Sequence, residues 1–280
     1  MRLSILFVVG RVLCLALAVL LAAGIGVKPA RASTPPPTFP AAAAEPATVH
    51  VSTDTVYYFG NFSEPSTAAF NAAIAQIPRG QLHRMVISSV GGVTTDAREI
   101  ATWVHAMGLV VEVEGICFSS CANYIFPAGQ ARNIRKDAFV GWHGNERGMA
   151  LEAKKTGSMT RDELRKALPA EALQKPPKEV EGLVDQMLES LVVSMRDEAN
   201  FYEKLGLKDD FAMCGLGSQA LTKYPSLRDK LGWGFSIKDM NRFGMTHIRY
   251  LGQGPYERNS KYFRRYLGLL RAQDCLSGSK

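Results

Sequence analysis

The strongest constraint on the fold is a regular alternation of short apolar runs and amphipathic segments between residues 56 and 142. Four apolar runs predict strands: residues 56–59, 85–87, 109–113 and 138–142. The segments between the first three runs carry apolar residues at helical spacing, and glycines stand near the ends of several segments. Alternation of this kind predicts βαβ units and a mostly parallel sheet, so the expected fold class is α/β.

The first 32 residues have the composition of an export signal. Arg2 precedes a long apolar run that only Arg11 interrupts, and Ala30-Arg31-Ala32 supplies the small residues of a cleavage site. Residues 1–32 are therefore predicted to be a signal peptide. Because the apolar run is long, an uncleaved N-terminal membrane anchor is the alternative. Either leader predicts an exported protein, in the periplasm or anchored to the periplasmic face of the inner membrane.

The rest of the chain divides into three parts by composition. Residues 33–47 are rich in Pro and Ala and predict a linker with nothing to pack against. Residues 48–246 are expected to form the folded domain, which includes a polar helical arm at residues 144–206. The arm holds a long amphipathic helix from about residue 179, which is typical of a packing surface, so a homo-oligomer is one expectation. Residues 247–280 form a basic and aromatic C-terminal tail.

The charge of the mature chain argues against one class of function. The formal net charge is +7, but Arg2, Arg11, Lys28 and Arg31 lie in the leader. The small positive charge that remains argues against nucleic acid as the main partner. No nucleotide motif and no complete metal-ligand motif is present, so no cofactor and no metal are expected. A solvated amphipathic helix is the simpler interpretation of the tail, and contact with a membrane surface is the alternative.

Four cysteines remain after the leader, and they are Cys117, Cys121, Cys214 and Cys275. An even number of cysteines in an oxidising compartment favours disulfides. The four residues allow three pairings, and the sequence does not choose between them. The spacing of Cys117 and Cys121 also fits half of a zinc site, but no second pair at ligand spacing accompanies it.

Three motifs at the ends of predicted strands carry residue types that acyl transfer uses. Residues 88–92 end a strand in paired glycines, whose backbone N–H groups can point into a site. Ser119 and Ser120 begin a helix, where a serine lies close to free N–H groups. His143 ends a strand beside Gly144. Each motif alone also fits a structural role, such as a βα turn or a helix cap. Their combination and order favour a serine–histidine site.

This order of motifs resembles the core of the Clp protease proteolytic subunit and of the related signal peptide peptidase A and crotonase lineages. In that family a strand ends in a Ser-Pro-Gly-Gly-like turn, as at residues 89–92. A second strand delivers Gly-x-x-x-Ser, as at residues 115–119, on a helix that closes at Ala-Gly, as at Ala128-Gly129. The resemblance is closest to exported proteins with a Cys-x-Ser-x-Cys core. It implies a Clp/crotonase-type spiral of ββα units with a mostly parallel sheet and a helical excursion.

The resemblance also implies roles for individual residues. Ser119 would be the nucleophile and His143 its general base. The backbone N–H groups of Gly92 and Ser120 would form the oxyanion hole. Asp209, which follows the long helix, would be the third member of a triad.

Alternatives stay open for three of these roles. Counting forward from Gly115 along the family's motif selects Ser119. Counting back from Ala128-Gly129 selects Ser120, because this chain has one more residue between the two motifs, so Ser120 is an alternative nucleophile. A serine–lysine dyad, known from signal peptide peptidase relatives, is the alternative to the histidine. The residues concerned are Asp210 and Glu203 as other acids, and Lys154 and Lys155 as dyad lysines. A site with no acid at all is a further alternative.

The expected function is that of an exported serine hydrolase, of peptidase type, acting on a peptide or protein. The crotonase branch acts on acyl-CoA, which is a cytoplasmic cofactor, so an exported chain is not expected to use it. The alternative is a catalytically inactive Clp-like fold that serves as a binding or assembly module of the cell envelope.

Overall fold

A computed structural model describes residues 40–78 and 80–276 of the 280-residue chain. The predicted signal peptide lies outside these residues, as do the first part of the predicted linker and the last four residues of the tail. The described residues form two compact units. The larger unit consists of residues 40–145 and 201–276, and the smaller one of residues 146–200.

A mostly parallel sheet forms the centre of the larger unit. The strands of this unit are β1 (Thr48–Ser52), β2 (Thr55–Phe59), β3 (Arg84–Ser89), β4 (Val110–Phe118), β5 (Ala131–Ile134), β6 (Phe139–Gly141), β7 (Gly232–Phe235), β8 (Ile248–Tyr250) and β9 (Leu267–Leu270). The main sheet has the order β1-β2-β3-β4-β5-β8, and β6 pairs with the end of β4. Within it β1 and β2 are antiparallel, and the other strand pairs are parallel. Strands β7 and β9 form a second, parallel pair. The predicted α/β class with a mostly parallel sheet is confirmed.

Helices connect the strands and also make up the smaller unit. They are α1 (Glu64–Ile74), α2 (Thr94–Ala106), a π helix (Cys121–Ile125), α3 (Phe126–Ala128), α4 (Glu146–Thr156), α5 (Arg161–Lys166), α6 (Ala170–Leu173), α7 (Pro177–Lys204), α8 (Asp210–Met213), α9 (Gly217–Lys223), α10 (Ile237–Arg242), α11 (Tyr256–Asn259), α12 (Lys261–Tyr266) and α13 (Ala272–Leu276). Serine hydroxyls cap several of them. Ser63 accepts from the N–H of Ser66, and Ser260 accepts from the N–H of Phe263.

The core of the larger unit lies around β3 and β4. Both strands are largely apolar and buried, because helices and neighbouring strands cover a parallel sheet on its two faces. Helix α2 packs the face that its periodicity predicts. The apolar members of that buried face are Ala97, Ile100, Ala101 and Val104.

The smaller unit has an apolar cluster of its own, formed by α5, α7 and the turn between them. Its members are Leu164, Leu168, Val180, Val184 and Met187. Thr160 is the N-cap of α5, since its hydroxyl accepts from the N–H of Glu163 at 3.2 Å. Arg161 pairs with Glu181 and so joins α5 to α7. No helix in the described parts of the chain is both long enough and apolar enough to cross a membrane.

The structure differs from the predicted linker from Pro40 onward. Residues 40–43 form a 3₁₀ turn, and the side chains of Ala42 and Ala47 are buried. The N–H of Val90 donates to the carbonyl of Ala42 at 3.0 Å. A Cβ on Gly60 would lie 2.5 Å from the Cα of Ala47, so the two backbones are in direct contact. Small side chains let this segment approach the sheet closely, which its composition alone did not reveal.

The predicted C-terminal tail is also part of the fold. Strand β8 extends the main sheet by pairing with β5, and β9 pairs with β7. Tyr256 is buried, and its hydroxyl oxygen accepts from the N–H of Val140 at 2.8 Å. Aromatic residues of this segment, such as Tyr256, therefore pack in the core of the larger unit.

Candidate active site

Three parallel strands bring the predicted site residues to one edge of the sheet. Strand β4 pairs with β3 on one side and with β6 on the other, and Phe118 lies opposite Gly141. Just beyond this pair, the N–H of Ser119 donates to the carbonyl of Gly141 at 3.1 Å. The carboxyl ends of parallel strands share one edge, so the turns that follow β3, β4 and β6 meet there.

Ser119 stands in the turn between β4 and the π helix. Its φ of +56° lies in the left-handed region, which residues other than glycine seldom adopt. In this conformation its Oγ lies 2.7 Å from Nε2 of His143. A serine on a strained strand-to-helix turn is also the local geometry of the nucleophile in α/β-hydrolases.

His143 is held by its neighbours on both sides. The backbone of Trp142 exchanges two hydrogen bonds with Trp233 of β7, at 2.9 and 2.8 Å. The ring of Phe118 lies 5.1 Å from the imidazole ring, centroid to centroid. Burial lowers the pKa of His143 below its usual value of 6.5, and its own backbone opposes this in part. The imidazole is therefore neutral near pH 7, as a general base must be.

The glycine turn after β3 lies directly against Ser119. A Cβ on Gly91 would lie 2.6 Å from Cβ of Ser119 and 3.1 Å from its Oγ. Phe62 accepts from the N–H of Val93 and donates to the carbonyl of Gly91, so it binds on both sides of Gly92. Because a Cβ at position 91 would overlap with Ser119, only glycine fits at the first position of the pair.

Two backbone N–H groups beside the serine are available as oxyanion donors. Neither the N–H of Gly92 nor that of Ser120 donates a hydrogen bond to any residue in the described part of the chain. The two residues are in contact, because the hydroxyl of Ser120 donates to the carbonyl of Gly92 at 2.7 Å. Unpaired N–H groups at this place are what stabilisation of an oxyanion requires.

The two candidate serines have different hydrogen-bond partners. Ser119 reaches His143, whereas the hydroxyl of Ser120 is engaged with Gly92. The π helix explains why counting back from Ala128-Gly129 selects the other serine. A π turn closes its hydrogen bonds over one more residue than an α turn, so it accommodates the extra residue without moving Ser119.

A carboxylate partner for His143 is not present among the described residues. The imidazole forms no ion pair and no hydrogen bond with an Asp or Glu side chain there. Asp209 immediately precedes α8, and Asp210 begins it. Glu203 lies in the last turn of α7. The two alternative lysines, Lys154 and Lys155, lie in α4 of the smaller unit.

The four cysteines pair as Cys117–Cys121 and Cys214–Cys275. The structure thus selects one of the three pairings that the sequence leaves open. The first disulfide brackets Ser119, and the second joins the end of α8 to α13. No group of three or more His, Cys, Asp and Glu side chains suited to a metal ion occurs in the described ranges.

Asn123 connects the two halves of the site, and sequence reasoning assigned it no role. Its N–H donates to the carbonyl of Ser119 at 2.8 Å, and its Nδ2 donates to the carbonyl of Gly144 at 2.9 Å. The residue is buried within a short apolar segment. A polar amide in such a segment was the available signal, because buried amides need hydrogen-bond partners.

Comparison with known proteins gives weak likenesses only. No protein-family model matches the sequence, and no curated protein matches it. Two solved structures do match. The first is an enoyl-CoA hydratase from Mycobacterium avium subsp. paratuberculosis K-10, which is 15% identical with a TM-score of 0.30, and the match covers 57% of this chain and 83% of that one. The second is a putative enoyl-CoA hydratase from Rhodopseudomonas palustris CGA009, which is 12% identical with a TM-score of 0.27, and the match covers 59% of this chain and 98% of that one. Likenesses at this level carry no argument about activity.

Proposed function

We propose that the protein is a serine hydrolase with a Clp/crotonase-type fold, in which Ser119 attacks an acyl carbonyl. The observation that carries the proposal is the 2.7 Å contact between Oγ of Ser119 and Nε2 of His143. The left-handed backbone of Ser119 supports it, because strained residues of this kind concentrate at functional sites. The glycine turn that lies against the serine supplies the third feature of such a site.

The chemistry follows from these positions. As Oγ of Ser119 bonds to the acyl carbon, its proton passes to Nε2 of His143 and the carbonyl oxygen becomes an oxyanion. The N–H groups of Gly92 and Ser120 stabilise that oxyanion, each by about 3 kcal/mol. The tetrahedral intermediate collapses when the leaving group takes the proton from His143. Water then attacks the acyl carbon and gives a proton to His143. The bond to Oγ of Ser119 breaks, Oγ regains a proton from His143, and the acyl group leaves as an acid.

The proposal is a dyad rather than a triad. A carboxylate in a triad holds the imidazole in one orientation and stabilises its protonated form. Here the ring of Phe118 and the backbone pairing of Trp142 take over the orientation. No residue in the described part of the chain replaces the charge, so we expect slower acylation than in a triad enzyme.

The proposed substrate is a peptide or protein outside the cytoplasm. The signal-like residues 1–32 support export, and the two disulfides are compatible with an oxidising compartment. Because CoA thioesters are cytoplasmic, the hydratase chemistry named for the two solved structures is not proposed for this chain. Mass spectrometry of the protein from a cell-envelope fraction tests export, and we expect a mature N-terminus at Ser33.

Labelling with a fluorescent fluorophosphonate tests the catalytic part of the proposal. We expect residues 33–280 to be labelled, and Ser119→Ala and His143→Ala to lose the label. Ser120→Ala is the matched control, because it removes a neighbouring hydroxyl but leaves the backbone N–H. Loss of label in Ser120→Ala with label retained in Ser119→Ala would contradict the assignment. Thermal unfolding of each variant shows that the fold is kept.

The absence of a carboxylate partner for His143 among the described residues favours a second candidate, a binding or assembly module of the envelope. In that case the serine and histidine are a structural pair. Folded wild-type protein that is not labelled would support the module and count against the hydrolase. Cross-linking in the cell envelope would then identify its partner.

A further inference from the structure

We propose that the Cys117–Cys121 disulfide is a positioning element that presents Oγ of Ser119 to His143. This inference rests on the proposed function, since it assigns a role within the same site. The disulfide closes a ring over three residues, Phe118, Ser119 and Ser120. Ser119 is the central residue of that ring, and it alone of the three has a left-handed backbone.

The short ring dictates a turn. The Cα atoms of Cys117 and Cys121 are 5.1 Å apart, whereas four residues of extended chain span about 13 Å. The bond therefore forms only if the chain reverses between the two cysteines. A strand that continued past Phe118 would break this geometry, and so the disulfide excludes the extended conformations of Ser119.

The two sulfurs lie in elements that are themselves fixed. Cys117 is paired with Ser89 of β3 and with Val140 of β6, in the middle of the sheet. Cys121 begins the π helix. Both cysteines are fully buried. The disulfide thus joins the end of a rigid strand to the start of a buried helix, and the serine between them has little freedom.

Without the disulfide, weaker contacts hold the turn. Ser119 keeps one backbone hydrogen bond to Gly141 and one from Asn123. Because a left-handed serine is unfavourable, we expect the turn to relax toward ordinary backbone conformations. Oγ then leaves the position beside His143 for part of the time. Small displacements of a nucleophile have large effects on rate, so the consequence is kinetic.

The second disulfide separates positioning from general stabilisation. Cys214 and Cys275 are 61 residues apart in sequence, and Cys117 and Cys121 are 4 apart. A longer loop restrains the unfolded chain more, so loss of the Cys214–Cys275 bond returns more conformational entropy to the unfolded chain and destabilises the fold more. If both disulfides are purely structural, a variant without Cys214–Cys275 loses more melting temperature and more labelling rate than a variant without Cys117–Cys121. If Cys117–Cys121 positions the serine, the variant without that bond loses more labelling rate.

The experiment compares C117A/C121A with C214A/C275A in residues 33–280. For each variant we measure the second-order rate constant of fluorophosphonate labelling and the melting temperature. We expect labelling of C117A/C121A to fall by about 100-fold, as a misplacement of about 1 Å does in enzymes. We expect C214A/C275A to label at the wild-type rate while it loses more thermal stability. Wild-type labelling in C117A/C121A would overturn the inference, and so would losses of labelling that follow stability in both variants.

A second readout does not depend on activity. A general base must accept the serine proton at Nε2, which requires the neutral imidazole to carry its own proton on Nδ1. The ¹⁵N chemical shifts of His143 report this tautomer. We expect them to change in C117A/C121A and to stay in C214A/C275A. If the wild type is not labelled, the proposed hydrolase function fails. A change in the His143 shifts that is confined to C117A/C121A still supports positioning, and unchanged shifts in that variant overturn it. C117S/C121S is measured in parallel, so that the comparison survives if one pair of substitutions does not fold.

Discussion

At the scale of single residues, the environment of His143 opposes its protonation. Burial removes water from the imidazole and lowers its pKa below 6.5, the value of a solvated histidine. The unfolded chain therefore binds a proton at a pH where the folded chain does not. Stability consequently rises as the pH rises through the window just below 6.5, and it is lost as the pH falls through that window.

The first prediction concerns pH. Fluorophosphonate labelling needs the neutral imidazole, so we expect its rate to be constant from pH 8 to about 6.5 and to fall with a midpoint below 6.5. Urea unfolding at pH 5 to 8 should show stability decreasing toward acid. His143→Gln has no titrating group at this position, so its free energy of unfolding should decrease less toward acid pH than that of the wild type. A labelling midpoint above 6.5 would contradict the role of burial.

The second prediction concerns the contact between Gly91 and Ser119. Gly91→Ala adds a Cβ that would lie 2.6 Å from Cβ of the serine, at a φ of +110°. We expect the serine to be displaced and labelling to fall at least about tenfold. Gly206→Ala is the control, since Gly206 also has a positive φ, +66°, but its added Cβ meets nothing within 4 Å. Equal labelling of the two variants would show that the contact is unimportant.

At the scale of elements, Arg132 of β5 fixes the segment that follows the nucleophile turn. Its guanidinium is buried and donates to the carbonyls of Phe126, Pro127 and Thr246. Burial lowers its pKa to about 10, which still leaves it protonated at neutral pH. One side chain thus joins the end of the π helix and α3 to the residue pair that precedes β8. Elements far apart in sequence are held by hydrogen bonds to a single cation.

The third prediction follows from these bonds. Arg132→Met removes the guanidinium donor from three carbonyls, two of them on buried residues, so we expect the free energy of unfolding to fall by about 3 kcal/mol. Arg249→Met is the control, because Arg249 lies on the neighbouring strand β8 but is exposed. Its effect should stay within about 0.5 kcal/mol. Urea unfolding measures both, and equal losses would mean that the carbonyls find water instead.

At the scale of the whole molecule, residues 40–47 and residues 248–276 complete the larger unit. The first segment binds Val90 beside the glycine turn, through the carbonyl of Ala42. The second adds β8 to the main sheet and β9 to β7. The site therefore depends on chain segments that stand about two hundred residues apart and that no local motif connects.

The fourth prediction tests whether the first of these segments is packed. Ala42→Glu places a charge at a fully buried position, and we expect it to lower the free energy of unfolding by at least about 3 kcal/mol. Ala41→Glu is the matched control, since the neighbouring Ala41 is exposed. It should change stability by no more than about 0.5 kcal/mol. Similar melting temperatures for the two variants would favour an unpacked linker.

Local patterns in the sequence determined the elements and the chemical character of the site. Helical spacing predicts the buried face of α2. The glycine turn, the serine turn and the histidine at a strand end predict a serine–histidine site at one edge of the sheet. The prediction of the helix face succeeds because periodicity depends on residues within a few turns of chain.

Only the tertiary structure decided the remaining questions. Which serine meets His143 depends on the π helix, and which cysteines pair depends on where α8 and α13 end. Residues 40–47 have the composition of a linker, yet they are packed because Gly60 allows a close approach. The histidine has no carboxylate partner in the described chain, although acids follow the long helix in sequence. Each of these outcomes depends on contacts between distant segments, whose distances the order of residues does not determine.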